Sequence, residues 1–247
     1  MKLAGLPAEA GEVTVAQISD THRHGGDVDE LLGTVVERVN GLRPDFVALT
    51  GDFVDRRPSD VLPVARTLGA LRPRRGLFAV IGNHDYAADA WLMRSALAAT
   101  GCEVLDNRAV QGAPGLWFAG IDDLHSGRPD IGAALRQIPA NAATVLLSHH
   151  PDAFDKAPSD RPLLMLSGHT HGAQFAFPFL PAAWVCWLHL RTRYVHGWYR
   201  RRGSMLYVNR GIGVAGPWPL RRRVRCMPEV SVFHLRDGDR QEAKTRR

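Results

Sequence analysis

The strongest constraint on the fold of this chain is a series of short apolar runs, each followed directly by a cluster of polar residues. The runs have the length and the Val, Ile, Leu and Phe content of buried strands. They are Val13–Ile18, Phe46–Thr50, Leu77–Ile81, Thr144–Leu147 and Leu163–Leu166. The clusters after them begin at Ser19, Gly51, Gly82, Ser148 and Gly168. Because ligands of layered α/β folds bind outside the carboxyl ends of strands, the clusters predict one polar site at a common edge.

The rest of the pattern also indicates an α/β fold. Three further strand candidates are Leu116–Ile121, Met205–Val208 and Val230–Leu235. Apolar residues at helical spacing predict helices over Val28–Val39, Val61–Leu71 and Ala90–Ala99. With 45% apolar and 23% charged residues, the composition is that of an ordinary globular protein. No repeat or linker interrupts the pattern, so we predict a single domain over residues 1–247.

The residue types in the polar clusters are those that bind divalent metal ions. The candidate ligands are Asp20, His22, Asp52, Asn83, His149, His169 and His171. Carboxylate, imidazole and amide groups suit Mn, Fe, Zn or Co, of which we favour Mn. Such a set suits two ions roughly 3.5–4 Å apart, the arrangement used for in-line phosphoryl displacement. A single Asp-x-His or Gly-Asp pair would often arise by chance, whereas five clusters in this order would not.

Two backbone features are expected to bring these ligands together. In an extended chain alternate side chains share a face, so Asp20 would lie beside His22, and His169 beside His171. A glycine precedes three of the ligands and would let the chain turn sharply after its strand. A carboxylate can bridge two ions, and Asp52 is the natural candidate.

The order and spacing of the clusters resemble those of the calcineurin-like metallophosphoesterase superfamily, from Val13 to about Leu235. The resemblance implies a four-layer β-sandwich flanked by helices, with a binuclear metal site at one sheet edge. It implies that one ion is held by Asp20, His22, Asp52 and His171. It implies that the other is held by Asp52, Asn83, His149 and His169.

Two further residues match the catalytic positions of that superfamily. His84, which follows Asn83, resembles the catalytic histidine that stabilises the transition state or protonates the leaving oxygen. Asp55, in the sequence Gly-Asp-x-x-Asp, matches the carboxylate that orients this histidine in part of the superfamily. A solvent-exposed loop acid is an equally good interpretation of Asp55. Asp85 is expected to be structural rather than catalytic.

Other polar residues carry weaker expectations. His150 could contact substrate, lie behind the metal ligands or lie on the surface. Arg56 occupies the position of a phosphate-binding arginine in some phosphoprotein phosphatases, but Arg57 replaces the glycine that usually follows it. The remaining histidines match no motif and are expected to be ordinary surface or core residues: His24, His125, His189, His196 and His234.

The charge of the chain favours anionic partners. The net charge is +6 and the pI is about 9.7, which suits a phosphate-containing substrate. Arg191–Arg202 and Arg221–Arg225 hold runs of arginine, which by charge alone are expected to be solvated faces. Residues 175–202 combine these arginines with aromatic and apolar side chains, a composition suited to a membrane headgroup region. Two alternatives for this segment are a contact with substrate and a core-packing insertion with a basic outer face.

Two segments, Gly168–Gln174 and Tyr207–Gly213, resemble a bacterial and often membrane-associated branch of the superfamily. That branch includes UDP-2,3-diacylglucosamine pyrophosphohydrolases of lipid A biosynthesis. The resemblance implies hydrolysis of a phosphodiester or a pyrophosphate, such as that of a nucleotide-linked lipid. The alternative within the same fold is a nuclease or cyclic-nucleotide phosphodiesterase, although nucleic acid is the less favoured partner. A non-catalytic metal-binding scaffold is disfavoured, because no ligand or catalytic histidine is missing. The sequence indicates no protein partner.

The cysteines and the apolar stretches bear on the cellular location. Cys102, Cys186 and Cys226 lie far apart and predict neither a disulfide framework nor a cysteine-built zinc site. Met1–Gly11 contains no apolar run of signal-peptide length. No stretch of the chain approaches the roughly 20 apolar residues of a membrane span. We therefore expect a cytoplasmic protein, or one that is peripheral on the inner face of the membrane.

Overall fold

The computed structural model describes residues 1–175, 184, 190–216 and 221–238 of the chain. The strands are β1 (Lys2–Leu3), β2 (Val13–Ile18), β3 (Phe46–Thr50), β4 (Gly76–Val80), β5 (Glu103–Val104), β6 (Arg108–Ala113), β7 (Leu116–Gly120), β8 (Ala143–Leu147), β9 (Leu163–Ser167), β10 (Gly197–Arg201), β11 (Ser204–Val208) and β12 (Ser231–Asp237). The α-helices are α1 (Asp27–Leu42), α2 (Val61–Leu68), α3 (Asn83–Ala99) and α4 (Ile131–Leu135). Short 3-10 helices cover Ala8–Ala10, Pro58–Asp60, Pro151–Asp155 and His171–Ala173.

The strands form two six-stranded sheets. The first has the order β1-β12-β2-β3-β4-β5, and the second has the order β10-β11-β9-β8-β7-β6. In the first sheet β2, β3, β4 and β5 are parallel, and in the second β7, β8, β9 and β11 are parallel. Parallel neighbours end at the same edge of a sheet. Each sheet therefore gathers the carboxyl ends of several strands at one edge.

Three apolar layers hold the four layers of backbone together. Between the sheets, Phe118 packs against Phe46 and Phe78 with ring centroids 4.7 Å and 4.6 Å apart. On the outer face of the first sheet, α1, α2 and α3 bury residues such as Leu32 against the strands. On the outer face of the second, α4 and Pro151–Asp155 cover the strands. Helices, sheet, sheet and helices follow one another, which confirms the predicted four-layer α/β fold.

All eight predicted strands are present, with ends that differ by only a residue or two. The strands that the pattern missed are β1, β5, β6 and β10. Two of them are too short to show a period, and β6 and β10 are edge strands that alternate polar and apolar residues weakly. The third helix begins at Asn83 rather than at Ala90, because a non-helical Asp89 (φ −174°, ψ 99°) joins two helical pieces.

Part of the predicted aromatic and basic segment, residues 176–183 and 185–189, lies outside the described residues. In the rest of residues 175–202, Tyr194 and Val195 are buried and β10 joins the second sheet. Trp184 has 64% of its surface exposed. No helix among the described residues combines the length and the apolar character needed to cross a bilayer.

Candidate metal centre

The predicted ligands converge where the carboxyl edges of the two sheets meet. The ends of β2, β3 and β4 supply Asp20, His22, Asp52 and Asn83. The ends of β8 and β9 supply His149, His169 and His171. Five of these seven side chains are buried, and those of Asn83 and His169 are partly exposed. The structure thus brings six of the predicted ligands together: Asp20, His22, Asp52, His149, His169 and His171. It places Asn83 shortly after β4, with its Oδ1 buried.

The backbone reaches this arrangement by a different route from the one expected. Asp20 (φ 50°), His22 (φ 42°), His169 (φ 72°) and His171 (φ 53°) are all left-handed, so the two pairs do not lie on extended chain as predicted. Asp52 is left-handed as well, with φ 54°. Non-glycine residues in this region are uncommon and collect at functional sites, where the surrounding fold holds them against strain of about 1–3 kcal/mol each. Tight left-handed turns therefore aim these ligands inward.

The three glycines before ligands serve two different purposes. Gly51 has φ +89°, as the predicted sharp turn requires. Gly82 is extended, but a Cβ there would lie 2.3 Å from Oδ1 of Asp52. At Gly168 a Cβ would lie 2.1 Å from Oδ2 of Asp20. Those two glycines are thus required because a ligand carboxylate lies against the backbone.

One group of ligands surrounds Asp20. Its Oδ1 lies 3.4 Å from Nε2 of His171 and 3.9 Å from Nε2 of His22. The two Nε2 atoms are 2.9 Å apart. The backbone N–H of His169 donates to both oxygens of Asp20, at 3.0 Å and 3.1 Å, and the Ser19 hydroxyl donates at 2.5 Å. One fixed carboxylate and two imidazoles form a compact donor set for a single cation.

Asp52 lies between this group and a second one. Its Oδ2 is 3.6 Å from Nε2 of His22 and 3.2 Å from Nε2 of His149. Nε2 of His149 is in turn 3.2 Å from Nδ1 of His169. The other oxygen, Oδ1, accepts the backbone N–H of His84 at 2.8 Å. That hydrogen bond fixes the carboxylate so that one oxygen faces both groups.

The donors present fit divalent cations. Within the described part of the chain, the buried Oδ1 of Asn83 accepts no hydrogen bond, and Nδ1 of His22 has no partner. A cation would satisfy the Asn83 oxygen, whose burial without a partner is otherwise costly. Nδ1 of His149 lies 2.8 Å from the carbonyl oxygen of Thr50, so this nitrogen donates and Nε2 is the atom that would bind a cation. In addition, Asp20, His22 and His171 each offer one ligand atom, and these three atoms all lie within 4.8 Å of one another.

Charges at the centre are strongly coupled. Burial would raise the pKa of Asp52, but His149 and then His22 outweigh it and hold that pKa well below its usual value. Burial would lower the pKa of His149, but Asp52 outweighs it and raises the pKa to about 10. Burial lowers the pKa of His171, and it lowers the pKa values of His22 and His169 well below normal. The charge of Asp52 therefore favours the protonated form of His149, whereas burial favours the neutral forms of His22, His169 and His171.

His84 and Asp55 form a hydrogen-bonded pair beside the ligands. Nδ1 of His84 is 3.0 Å from Oδ1 of Asp55, and the His84 ring packs edge-on against that of His22, with centroids 4.6 Å apart. The hydrogen bond from His84, helped by the charge of Arg221, lowers the pKa of Asp55 to about 2 against the effect of burial. Only 12% of the Asp55 side chain is exposed, which disfavours the interpretation as a solvated loop acid.

Asp85 ties two of the ligand-bearing loops together. Its Oδ1 accepts the backbone N–H groups of Phe53 and Val54 at 2.8 Å and 3.2 Å, and its Oδ2 accepts that of Gly82 at 2.9 Å. Burial, and next the charge of Asp52, raise the pKa of Asp85 to about 7. These contacts support the predicted structural role.

Sequence reasoning missed a polar cluster behind His169. His150 is 1% exposed, so it lies behind the ligands rather than on the surface. Its Nδ1 is 2.9 Å from Oδ2 of Asp123, and its ring centroid is 3.9 Å from that of His169 and 4.3 Å from that of His125. His125 itself is exposed, in agreement with the expected ordinary surface histidine, and its ring packs edge-on against that of His150. Asp123 lies just after β7, so the strand-end rule could have found it.

A C-terminal segment, residues 221–226, also contributes to the site. Arg221 pairs with Asp55. Arg223 donates to the carbonyl oxygen of Gly213 at 2.6 Å, and Sγ of Cys226 lies 3.1 Å from the carbonyl oxygen of His171. The arginine run was expected to be a solvated face, and its spacing carries no signal that Arg221 and Arg223 point inward.

Comparisons with known sequences agree with the geometry. The family model for calcineurin-like phosphoesterases matches residues 13–173. The uncharacterized metallophosphoesterase YkuE of Bacillus subtilis is 33% identical, over 90% of this chain and 78% of its own length. The transmembrane protein with metallophosphoesterase domain of Danio rerio is 32% identical over 94% of this chain, and the putative metallophosphoesterase F40B5.2 of Caenorhabditis elegans is 30% identical over 85%. The match spans about half the length of these last two proteins, 55% and 46%.

Solved structures share the fold at low sequence identity. A dimetal phosphatase from Danio rerio has a TM-score of 0.58 at 14% identity, covering 91% of this chain and 93% of its own. The protein TT1561 of Thermus thermophilus has a TM-score of 0.54 at 14% identity, covering 81% of this chain and 89% of its own. With the family match and the sequence relatives, the chain belongs to the calcineurin-like phosphoesterases and is a metal-dependent phosphoester hydrolase.

Proposed function

We propose that this hydrolase uses two divalent ions that share Asp52 to cleave phosphodiesters or pyrophosphates. The observation that supports this most directly is the position of Asp52 Oδ2, 3.6 Å from Nε2 of His22 and 3.2 Å from Nε2 of His149. One ion would be held by Asp20, His22, Asp52 and His171. The other would be held by Asp52, Asn83, His149 and His169. We favour Mn, although Fe, Zn and Co suit the same donors.

When bound, the ions would supply charge stabilisation for the phosphoryl oxygens and a water of lowered pKa. The protein would supply orientation and a proton. The hydrogen bond between Asp55 Oδ1 and His84 Nδ1, 3.0 Å long, assigns Nδ1 as the donor. Nε2 of His84 is then the atom that holds or delivers a proton at the leaving oxygen. In this scheme His84 is catalytic and Asp55 orients it.

Substitutions at Asp52 and His84 should separate metal binding from catalysis. His84→Ala should keep the metal content of the wild type and lower kcat by about 10²–10⁴-fold, the usual contribution of a positioned acid. Asp52→Asn should lower both metal content and turnover. His234→Ala is the matched control, since His234 is exposed on β12 and contacts Glu12 rather than the centre. Wild-type rates on a generic phosphodiester in both site variants would contradict the proposal.

For the substrate we propose a nucleotide-linked lipid, of the class that UDP-2,3-diacylglucosamine represents. The support is the net charge of +6, together with the resemblance of Gly168–Gln174 and Tyr207–Gly213 to that branch of the superfamily. Exposed aromatic side chains suited to an acyl chain add to it, with Trp184 64% and Trp198 50% exposed. The test is metal analysis of the purified protein, then a comparison of nucleotide diphospho-lipids, simple phosphodiesters and phosphomonoesters by kcat/KM. A preference for single-stranded DNA with strongly salt-dependent affinity would favour the nuclease alternative instead.

A peripheral position on the inner face of the membrane is part of the same proposal. Deletion of residues 179–201 would remove β10 from the second sheet, so a single substitution is the sharper test. We expect Trp184→Ala to weaken co-sedimentation with anionic liposomes, because an interfacial tryptophan is lost. Trp91→Ala, which removes a tryptophan that is 75% exposed on α3, is the control. Equal binding by the wild type and both variants would contradict membrane contact through Trp184.

A further inference from the structure

Each carboxylate oxygen of Asp55 has a different partner. Oδ1 faces Nδ1 of His84 at 3.0 Å, and Oδ2 accepts a hydrogen bond from Nη2 of Arg221. The guanidinium is held at a second point, because its Nε donates to the carbonyl oxygen of Gly216 at 3.1 Å. A planar guanidinium fixed at two points can set the orientation of the carboxylate that it contacts.

The segment that carries Arg221 is itself anchored over the site. The backbone N–H of Val224 donates to the carbonyl oxygen of Gln174 at 3.0 Å. Arg223, two residues from Arg221, donates to the carbonyl oxygens of Gly213 and Arg210 at 2.6 Å and 2.7 Å. The Arg221 side chain therefore extends from a fixed backbone, and 25% of it is exposed.

We propose that Arg221 is a positioning residue, which holds Asp55 so that this carboxylate orients the imidazole of His84. Without Arg221, the Asp55 carboxylate would keep one side-chain partner and could turn about its Cβ–Cγ bond. The His84 ring would then be free to leave the orientation in which Nε2 serves the leaving group. This inference rests on the catalytic role proposed for His84. It adds Arg221, which is distant from both other residues in sequence, to the contact between Asp55 and His84.

The rival role for Arg221 is direct binding of a substrate phosphate, which its partial exposure would allow. The two roles predict different kinetics. Loss of a positioning residue lowers kcat and leaves KM nearly unchanged, whereas loss of a substrate ligand raises KM. They also differ in a double-mutant cycle, since a residue that acts through Asp55 has no further effect once Asp55 is replaced.

The experiment compares Arg221→Ala, Arg221→Lys, Asp55→Asn and the double variant Arg221→Ala/Asp55→Asn in the manganese-loaded protein. Bis(p-nitrophenyl) phosphate is the substrate, and Arg222→Ala is the control because Arg222 is exposed beside Arg221. We expect Arg221→Ala to lower kcat about tenfold, the lower end of losses on removing an orienting contact. The lysine variant should recover part of that loss, and the double variant should equal Asp55→Asn. Additive losses, or a raised KM with unchanged kcat, would overturn the proposal.

A readout without metal or substrate separates this inference from the proposed function. In the metal-free protein, the Nδ1–H resonance of His84 should be sharp in the wild type and in Arg222→Ala. It should be broadened or lost in Arg221→Ala, because the Asp55 acceptor is no longer fixed. An unchanged resonance in Arg221→Ala would overturn the positioning role. If the resonance is lost in Arg221→Ala but the manganese-loaded wild type shows no turnover, the positioning role is supported and the proposed function is contradicted.

Discussion

Nε2 of His149 lies 3.2 Å from Oδ2 of Asp52, and both side chains are almost completely withdrawn from solvent. Burial disfavours a charged His149, yet Asp52 raises its pKa to about 10, so near neutral pH the metal-free protein carries a proton there. A metal ion must displace this proton, because only the free lone pair can bind. We therefore expect loading to release about one proton from this site and metal affinity to rise with pH up to about pH 10.

Calorimetric titration of the metal-free protein with Mn²⁺ in buffers of different ionisation enthalpy measures that release. Metal binding should release protons rather than take them up, because His149 holds its proton at every pH below its raised pKa. His234→Ala should release the same number of protons as the wild type, because this exposed histidine contacts Glu12 rather than the centre. A heat of binding that is the same in every buffer would contradict the assignment of the bound proton.

The second prediction concerns Gly168. A Cβ at this position would lie 2.1 Å from Oδ2 of Asp20 and 2.0 Å from Oγ of Ser19, so Gly168→Ala must displace the carboxylate. We expect the variant to fold but to lose metal affinity and activity by about 10–100-fold, as when a contact that orients a ligand is lost. Gly33→Ala, where nothing lies within 4 Å of the added Cβ on α1, should retain activity and gain up to about 1 kcal/mol in the free energy of unfolding.

Metal content by elemental analysis and unfolding in urea would distinguish these outcomes. If Gly168→Ala kept full metal content, Asp20 would have another way to reach the centre and the close-approach explanation would be wrong.

A third prediction follows from the three backbone N–H groups that donate hydrogen bonds to Asp85. Asp85→Ala would leave the N–H groups of Phe53, Val54 and Gly82 without this acceptor. Each buried group left unsatisfied costs about 1–3 kcal/mol, so we expect at least about 3 kcal/mol of lost unfolding free energy. Asp130→Ala, which removes the N-cap of the short α4, should cost only about 1 kcal/mol. Equal losses in the two variants, measured by urea denaturation, would indicate that Asp85 does not tie the loops together.

Much of this architecture could be predicted from the sequence, because each strand end is marked by a few neighbouring residues: an apolar run followed by polar side chains. Asp20 and His149, for example, follow apolar runs of strand length, and parallel pairing then brings them to one edge. The local backbone could not be predicted, since His171 reaches the centre through a left-handed turn that its own side chain disfavours. Arg221 could not be predicted either, because its partner Asp55 is distant in the chain and a run of arginines is usually solvated.

The cluster behind His169 supports a last prediction. The His150 ring lies against that of His169, with centroids 3.9 Å apart, and its Nδ1 lies 2.9 Å from Oδ2 of Asp123. Groups that support a ligand histidine tune its orientation, and their loss usually costs about 10–100-fold in metal affinity or activity. We therefore expect His150→Ala to weaken binding of the ion that His169 would hold by about tenfold. His150→Phe keeps a ring in place but not the contact with Asp123, so it should have the smaller effect if packing supports His169. Two-site titration with Mn²⁺ measures both affinities. Wild-type affinity at both sites in His150→Ala would mean that this buried cluster contributes to the core rather than to the metal centre.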